Sequence, residues 1–242
     1  LYVTGSFIST SMIACIAPPA RKDGGPALLR VVNSEAIYLS TTYFHYLQAP
    51  ELLAIHPSRG PVHGGTVVTI TGRGFVASME LLGLFDGSAV PLRILSETRL
   101  ECETPMALAA GRVEVSTTNT HQSVRSHEPL EFLYDHPLHV ISTLPGRGPA
   151  AGGTIVRVEG VFPDSPLTCS FNGTMSSASH LSSSIILCVA PPVGKPGYVS
   201  VEVNANMQDF SADGLLYEYQ YARPVVLQPR QGPTAGGTQL TI

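Results

Sequence analysis

Lysine is almost missing from this 242-residue sequence, present only at Lys22 and Lys195, and charge of either sign is scarce: 13 % of residues, with a formal net charge of -4. Phosphate contacts need clustered cations, and Arg21-Lys22 is the sole adjacent basic pair, so a nucleic-acid-binding face is excluded. Long apolar runs are absent as well. No window approaches the roughly 18 consecutive apolar residues of a spanning helix, so any membrane contact would come through regions outside this chain. The opening LYVTGSFISTSMIAC has neither a basic start nor a cleavage site and does not read as a signal peptide. Catalytic patterns are missing too: Glu101, Glu103, Glu114, Glu159 and Asp164 are scattered and suggest no paired acid and base. There is no G-x-S-x-G elbow and no G-x-G-x-x-G leading into a helix. The chain reads as non-enzymatic, with no cofactor, metal or small-molecule substrate.

What the sequence does have is turn residues and short apolar runs. Gly (23) and Pro (20) punctuate Val-, Thr-, Ile- and Leu-rich segments at short intervals, the pattern of an all-β protein, and 43 % apolar residues suffice for separate cores. The stretch IHPSRGPVHGGTVVTITGRGF, Ile55 to Phe75, opens like a phosphate loop but runs into the alternation Val67 to Thr71 where such a loop needs a helix N-terminus. Its residues read instead as a structural turn: Pro61 fixes its own φ and biases Gly60 away from helix, while Gly64 and Gly65 can take positive φ.

This turn repeats. PSRGPVHGGT from Pro57 returns as PGRGPAAGGT from Pro145 and PRQGPTAGGT from Pro229, at intervals of 88 and 84 residues, near the size of a small β-sandwich. The equivalent turn positions are Gly148, Pro149, Gly152 and Gly153, then Gly232, Pro233, Gly236 and Gly237. Other landmarks keep their order: CIAPP at Cys15, CETP at Cys102 and CVAPP at Cys188, each followed by an alternating strand. An aromatic pair two residues apart closes each unit: Phe44 and Tyr46, Phe132 and Tyr134, Tyr217 and Tyr219. Such spacing puts both rings on one face of a strand, where they can fill a core.

The ordered pattern resembles the IPT/TIG family, the immunoglobulin-like domain of plexins, Met-type receptors, fibrocystin-like surface proteins and Rel-type transcription factors. The resemblance implies tandem β-sandwiches in a rod-like array, without an active site. It divides the chain into the C-terminal part of one domain (1–48), complete domains at 49–135 and 136–221, and the start of another (222–242). The resemblance also implies a disulfide between Cys169 and Cys188. Cys102 keeps the matching place in the preceding domain, but Gly83 stands where its partner would, and Cys15 would pair upstream of residue 1; both are unpaired within this chain. Reduced core thiols at all four positions are the alternative. Asn172-Gly173-Thr174 is the only N-glycosylation sequon, and with a disulfide it favours an extracellular or cell-surface setting.

The remaining candidates carry less. His136 and His139 flank Pro137, which rules out helical ligand spacing, and His45, His56, His63, His121, His127 and His180 read as solvated. NANMQDFSADG, with Asp209 and Asp213, lacks the alternation of a calcium loop and reads as a polar inter-strand loop. Joints near Pro50, Pro137 and Pro224 are short and semi-rigid. The expected function is a structural or adhesive spacer, a segment of a long extracellular filament, matrix or ciliary surface protein whose partners are other protein chains. The alternative is a ligand-binding ectodomain of a plexin- or Met-like receptor. Complementary partial domains at the two ends would also permit head-to-tail self-assembly by strand donation.

Overall fold

The computed structural model describes residues 3–20, 25–32, 36–76, 81–119, 125–221 and 228–240. Arg21, Lys22, His121 and Pro224 lie outside the described residues. The described secondary structure is β throughout. β1 (Gly5–Ser9) pairs with β2 (Met12–Cys15), and β3 (Gly25–Val32) with β4 (Ile37–Tyr46), as two antiparallel hairpins.

A first sandwich follows. It contains β5 (Glu51–His56), β6 (Arg59–Pro61), β7 (Val67–Arg73), β8 (Leu81–Phe85), β9 (Ser88–Pro91), β10 (Arg93–Ser96), β11 (Arg99–Glu103), β12 (Gly111–Asn119) and β13 (Leu130–Asp135). One sheet has the order β10-β11-β7-β5 and the other β6-β13-β12-β8-β9. The second sandwich repeats this plan with β14 (His139–Leu144), β15 (Arg147–Pro149), β16 (Ile155–Val161), β17 (Thr168–Phe171), β18 (Thr174–Ser182), β19 (Ile185–Val189), β20 (Gly197–Asn204) and β21 (Leu216–Gln220). Here β18 is one continuous strand pairing with both β17 and β19, so the two layers join into a single run of strands, whereas Leu92 interrupts the corresponding β9 and β10.

Alternation builds each core. Val68 and Ile70 of β7, and Val156 and Val158 of β16, are wholly buried while their neighbours along the strand face outward. Each such aliphatic side chain contributes about 1.5–3 kcal/mol through burial. The closing aromatics meet edge to face, Phe132 on Tyr134 and Tyr217 on Tyr219, both pairs with ring centres 5.0 Å apart. Their tyrosines also lock the chain: Tyr46, Tyr134 and Tyr219 donate to the carbonyls of Pro18, Pro105 and Pro191 at 2.8, 2.7 and 2.7 Å. The proline that follows each landmark cysteine is thereby tied to the last strand of its unit.

The glycine-rich stretch is a turn in all three copies. Gly64, Gly152 and Gly236 donate their amides to Pro61, Pro149 and Pro233, and φ is +74° and +85° at Gly64 and Gly65. Beyond the turn read from sequence, Gly60-Pro61 and Gly148-Pro149 lie in three-residue strands that pair in parallel with β13 and β21. The peptide bonds before Pro57, Pro145 and Pro229 are cis.

Candidate functional site

The chemically richest place lies between the two sandwiches, where β13 hands over to β14 through His136, Pro137 and Leu138. The guanidinium of Arg59 clamps the carboxylate of Asp135 with two bonds of 2.6 and 2.7 Å, and the Val62 amide donates to the Asp135 carbonyl at 2.9 Å. Both side chains are largely buried (19 % and 14 % exposed), which makes this ion pair less screened than the exposed Arg112–Glu131 pair. Across the linker, Asp213 accepts from the Val140 amide at 2.6 Å and faces His139 Nδ1 at 3.1 Å. Burial pushes the Asp213 carboxyl up, but the Val140 amide and His139 outweigh it and hold the pKa below its ordinary value.

The loop between β20 and β21 completes the joint. Asn206 Oδ1 accepts the amides of Gln208 and Asp209, and Met207 adopts φ +65°, so the loop tip is held by its own side chains. Four hydrogen bonds then cross to the first sandwich. Asn206 Nδ2 donates to the Arg59 carbonyl at 3.0 Å, and Thr66 Oγ1 donates to Asp209 Oδ2 at 2.7 Å. The Gln208 amide group takes both backbone groups of Val67, accepting from N–H at 3.2 Å and donating to C=O at 2.9 Å. Thr66, the threonine of the G-G-T turn, is 0 % exposed. A cleft of about 410 Å³ opens alongside, lined among others by Pro61, His63, His136 and Phe210.

Other residues singled out from sequence fall elsewhere. The Sγ atoms of Cys169 and Cys188 are bonded, with Cα atoms 6.2 Å apart, tying β17 to β19, the two strands that pair with β18. Cys15 is free and exposed; Cys102 is free and buried, and burial pushes its thiol up to about 12. A Cβ placed on Gly83 would meet Val90 and Leu92 at 3.3 Å each, so aliphatic side chains occupy the space that a partner cysteine would claim. Asn172 is exposed on a two-residue turn with φ +49°, matched by Asp86 at +46° in the first sandwich.

Two histidines read as solvated are bonded instead, His63 to the Gly64 carbonyl at 3.0 Å and His180 to the Ser165 carbonyl at 2.6 Å; His139, read only as unable to share a metal with His136, faces Asp213. The inter-strand loop is indeed polar, but its Asp209 is a joint residue. These contacts escape the sequence because their partners are far apart, 143 residues for Thr66 and Asp209. The one local signal was a run of Asn, Gln and Asp, residues that bond backbone groups.

Two such sandwiches in series, joined by short linkers and loop-end contacts, define a tandem array of immunoglobulin-like modules. The family model described as IPT/TIG domain matches residues 50–134 and 138–219, and the chain belongs to that family. It is 29 % identical to mouse fibrocystin-L over 98 % of its own length and 6 % of that protein's. It is 26 % identical to human plexin-A3 over 80 % of its length and 11 % of that protein's. The chain thus spans only a small part of either relative. Among solved structures, the plexin A4 extracellular region, domains 1 to 10, superposes with a TM-score of 0.51 at 19 % identity, covering 90 % of this chain and 20 % of that one.

Proposed function

We propose that this chain is a non-catalytic spacer in the extracellular part of a longer cell-surface protein, where its sandwiches hold other surfaces at a set distance and angle. The observation that carries this reading is the joint: four hydrogen bonds and a clamp on the last residue of β13 fix one sandwich on the next. Fibrocystin-L and the plexins as relatives support a cell-surface setting, and the Cys169–Cys188 disulfide fits an oxidising compartment. We divide the chain at 1–48, 49–135, 136–221 and 222–242, with the first and last segments belonging to neighbouring domains. Its partners are other protein chains, and Asn172 is its N-glycosylation site.

Paired spin labels test the spacer. With Cys15 changed to Ser, labels at Ser88→Cys and Lys195→Cys report the distance between the sandwiches. A single narrow distribution is expected; a broad one would mean that the sandwiches swing independently and would end the spacer reading. The plexin relatives favour a second reading, in which one sandwich itself binds a protein ligand and the joint orients it.

A further inference from the structure

The end of the second sandwich remote from this joint reproduces the surface that receives the loop, with one change. A Cβ added at Gly60 would run into Thr66 Oγ1 and come within 3.2 Å of Phe132 Cζ; one added at Gly148 would run into Thr154 Oγ1 and Tyr217 Oη. Thr154 therefore holds the place of Thr66, and Tyr217 that of Phe132 with an oxygen added. Arg147 and Ile155 hold the places of Arg59 and Val67, whose backbone groups receive Asn206 and Gln208.

Tyr217 is 0 % exposed and its hydroxyl has no hydrogen-bond partner, whereas Tyr219 donates to Pro191. The Thr154 hydroxyl makes no hydrogen bond among the described residues either. A buried hydroxyl without a partner costs stability and is rare, so this one needs an explanation. The first sandwich supplies it: there the equivalent threonine donates to a carboxylate of the following module.

Building on the spacer reading, we propose that this end of the second sandwich is a docking surface for a further immunoglobulin-like module presenting an acidic loop of the Asn206–Asp209 kind. Thr154 Oγ1 donates to the incoming carboxylate and at the same time accepts from Tyr217 Oη, so the carboxylate and both hydroxyls are satisfied together. The added tyrosine hydroxyl strengthens a joint that lacks the ionic clamp, since Gln220 stands where Asp135 stands in the first sandwich.

The test is a chain in which residues 136–220 are written twice in succession, so that the Asp209 of the later copy faces Thr154 and Tyr217 of the earlier one. Backbone ¹⁵N relaxation gives the tumbling time of each sandwich. All three are expected to tumble together, and Tyr217→Phe or Thr154→Val in the earlier copy, or Asp209→Ala in the later, should release the last sandwich. In the 242-residue chain, to which no such module has been added, Tyr217→Phe should instead raise the melting midpoint, so the sign of one conservative substitution reverses when the partner is supplied. A last sandwich that tumbles alone while the first two move as one overturns the proposal but leaves the spacer intact. Docking indifferent to these substitutions overturns it as well. Independent tumbling of the first two sandwiches would instead remove the spacer reading on which it rests.

Discussion

Tyr217 shows what one oxygen does in a repeated core. Its ring packs edge to face on Phe171 and Tyr219, as Phe132 packs on Phe85 and Tyr134. An unpartnered buried hydroxyl costs about 1–3 kcal/mol. Tyr217→Phe keeps the ring and removes that cost, so chemical denaturation should show a gain of about 1 kcal/mol; a loss of that size would mean that the hydroxyl is bonded within this chain. The cysteines differ just as sharply. Cys102 is buried with its thiol held near 12, so a thiol reagent at neutral pH should modify Cys15 at once and Cys102 only on unfolding. Burial likewise raises Tyr134 and Tyr219 to about 12 from 10.0. All three stay protonated in the fold at pH values where the unfolded chain has lost its protons. The contribution of these three groups should therefore be constant below about pH 9 and fall as pH rises toward 12, which a pH series of denaturation midpoints on the alkaline side would show.

Between neighbouring strands, the two sandwiches solve the same problem with different materials. Where β17 and β19 share a disulfide, small Ala178 lies on β18; where Gly83 and Cys102 do not pair, Leu92 packs against the corresponding part of the core. The Gly83→Cys, Leu92→Ala double variant should cross-link the introduced thiol to Cys102, visible by mass spectrometry, whereas Gly83→Cys alone meets Val90 and Leu92 at 3.3 Å. Breaking the natural bond with Cys169→Ala and Cys188→Ala should cost about 3 kcal/mol, the chain entropy of a loop that size. Much at this scale was legible in the sequence. Spacing of two in β7, β16 and the aromatic pairs states which side chains face inward, and Gly64-Gly65 states where the chain must turn. The parallel strands at Arg59–Pro61 and Arg147–Pro149 were not, because a three-residue strand has no periodicity to read and its hydrogen-bond partners lie some 70 residues later.

At the scale of the whole chain, the joint decides whether two stable modules act as one body. Beyond the Asn, Gln and Asp of one loop, nothing local announces it: Arg59 and Asp135 are 76 residues apart, and Gln208 reaches backbone groups rather than a complementary side chain. Hydrogen bonds to charged groups contribute about 1.5–3 kcal/mol each and neutral ones about 1. Because a linker of only a few residues keeps the modules together, little further entropy is lost on docking, and these modest energies suffice to close the joint. Asp209→Ala removes the charged bond from Thr66 and one contact that holds the loop tip. It should raise the population of open joints roughly ten- to a hundredfold, broadening the spin-label distance distribution while each sandwich keeps its own melting transition. Acid should act within the second sandwich instead, where Asp213 holds the start of β14 through Val140 and His139. Its folded pKa lies below the ordinary 3.8, so its contribution is complete above that value and disappears as pH falls through the folded one. A melting midpoint of the second sandwich that does not fall as pH drops through the folded pKa of Asp213 would show that this carboxylate does not hold β14; the fixed angle itself rests on the Asn206, Gln208 and Asp209 bonds and the Arg59–Asp135 clamp.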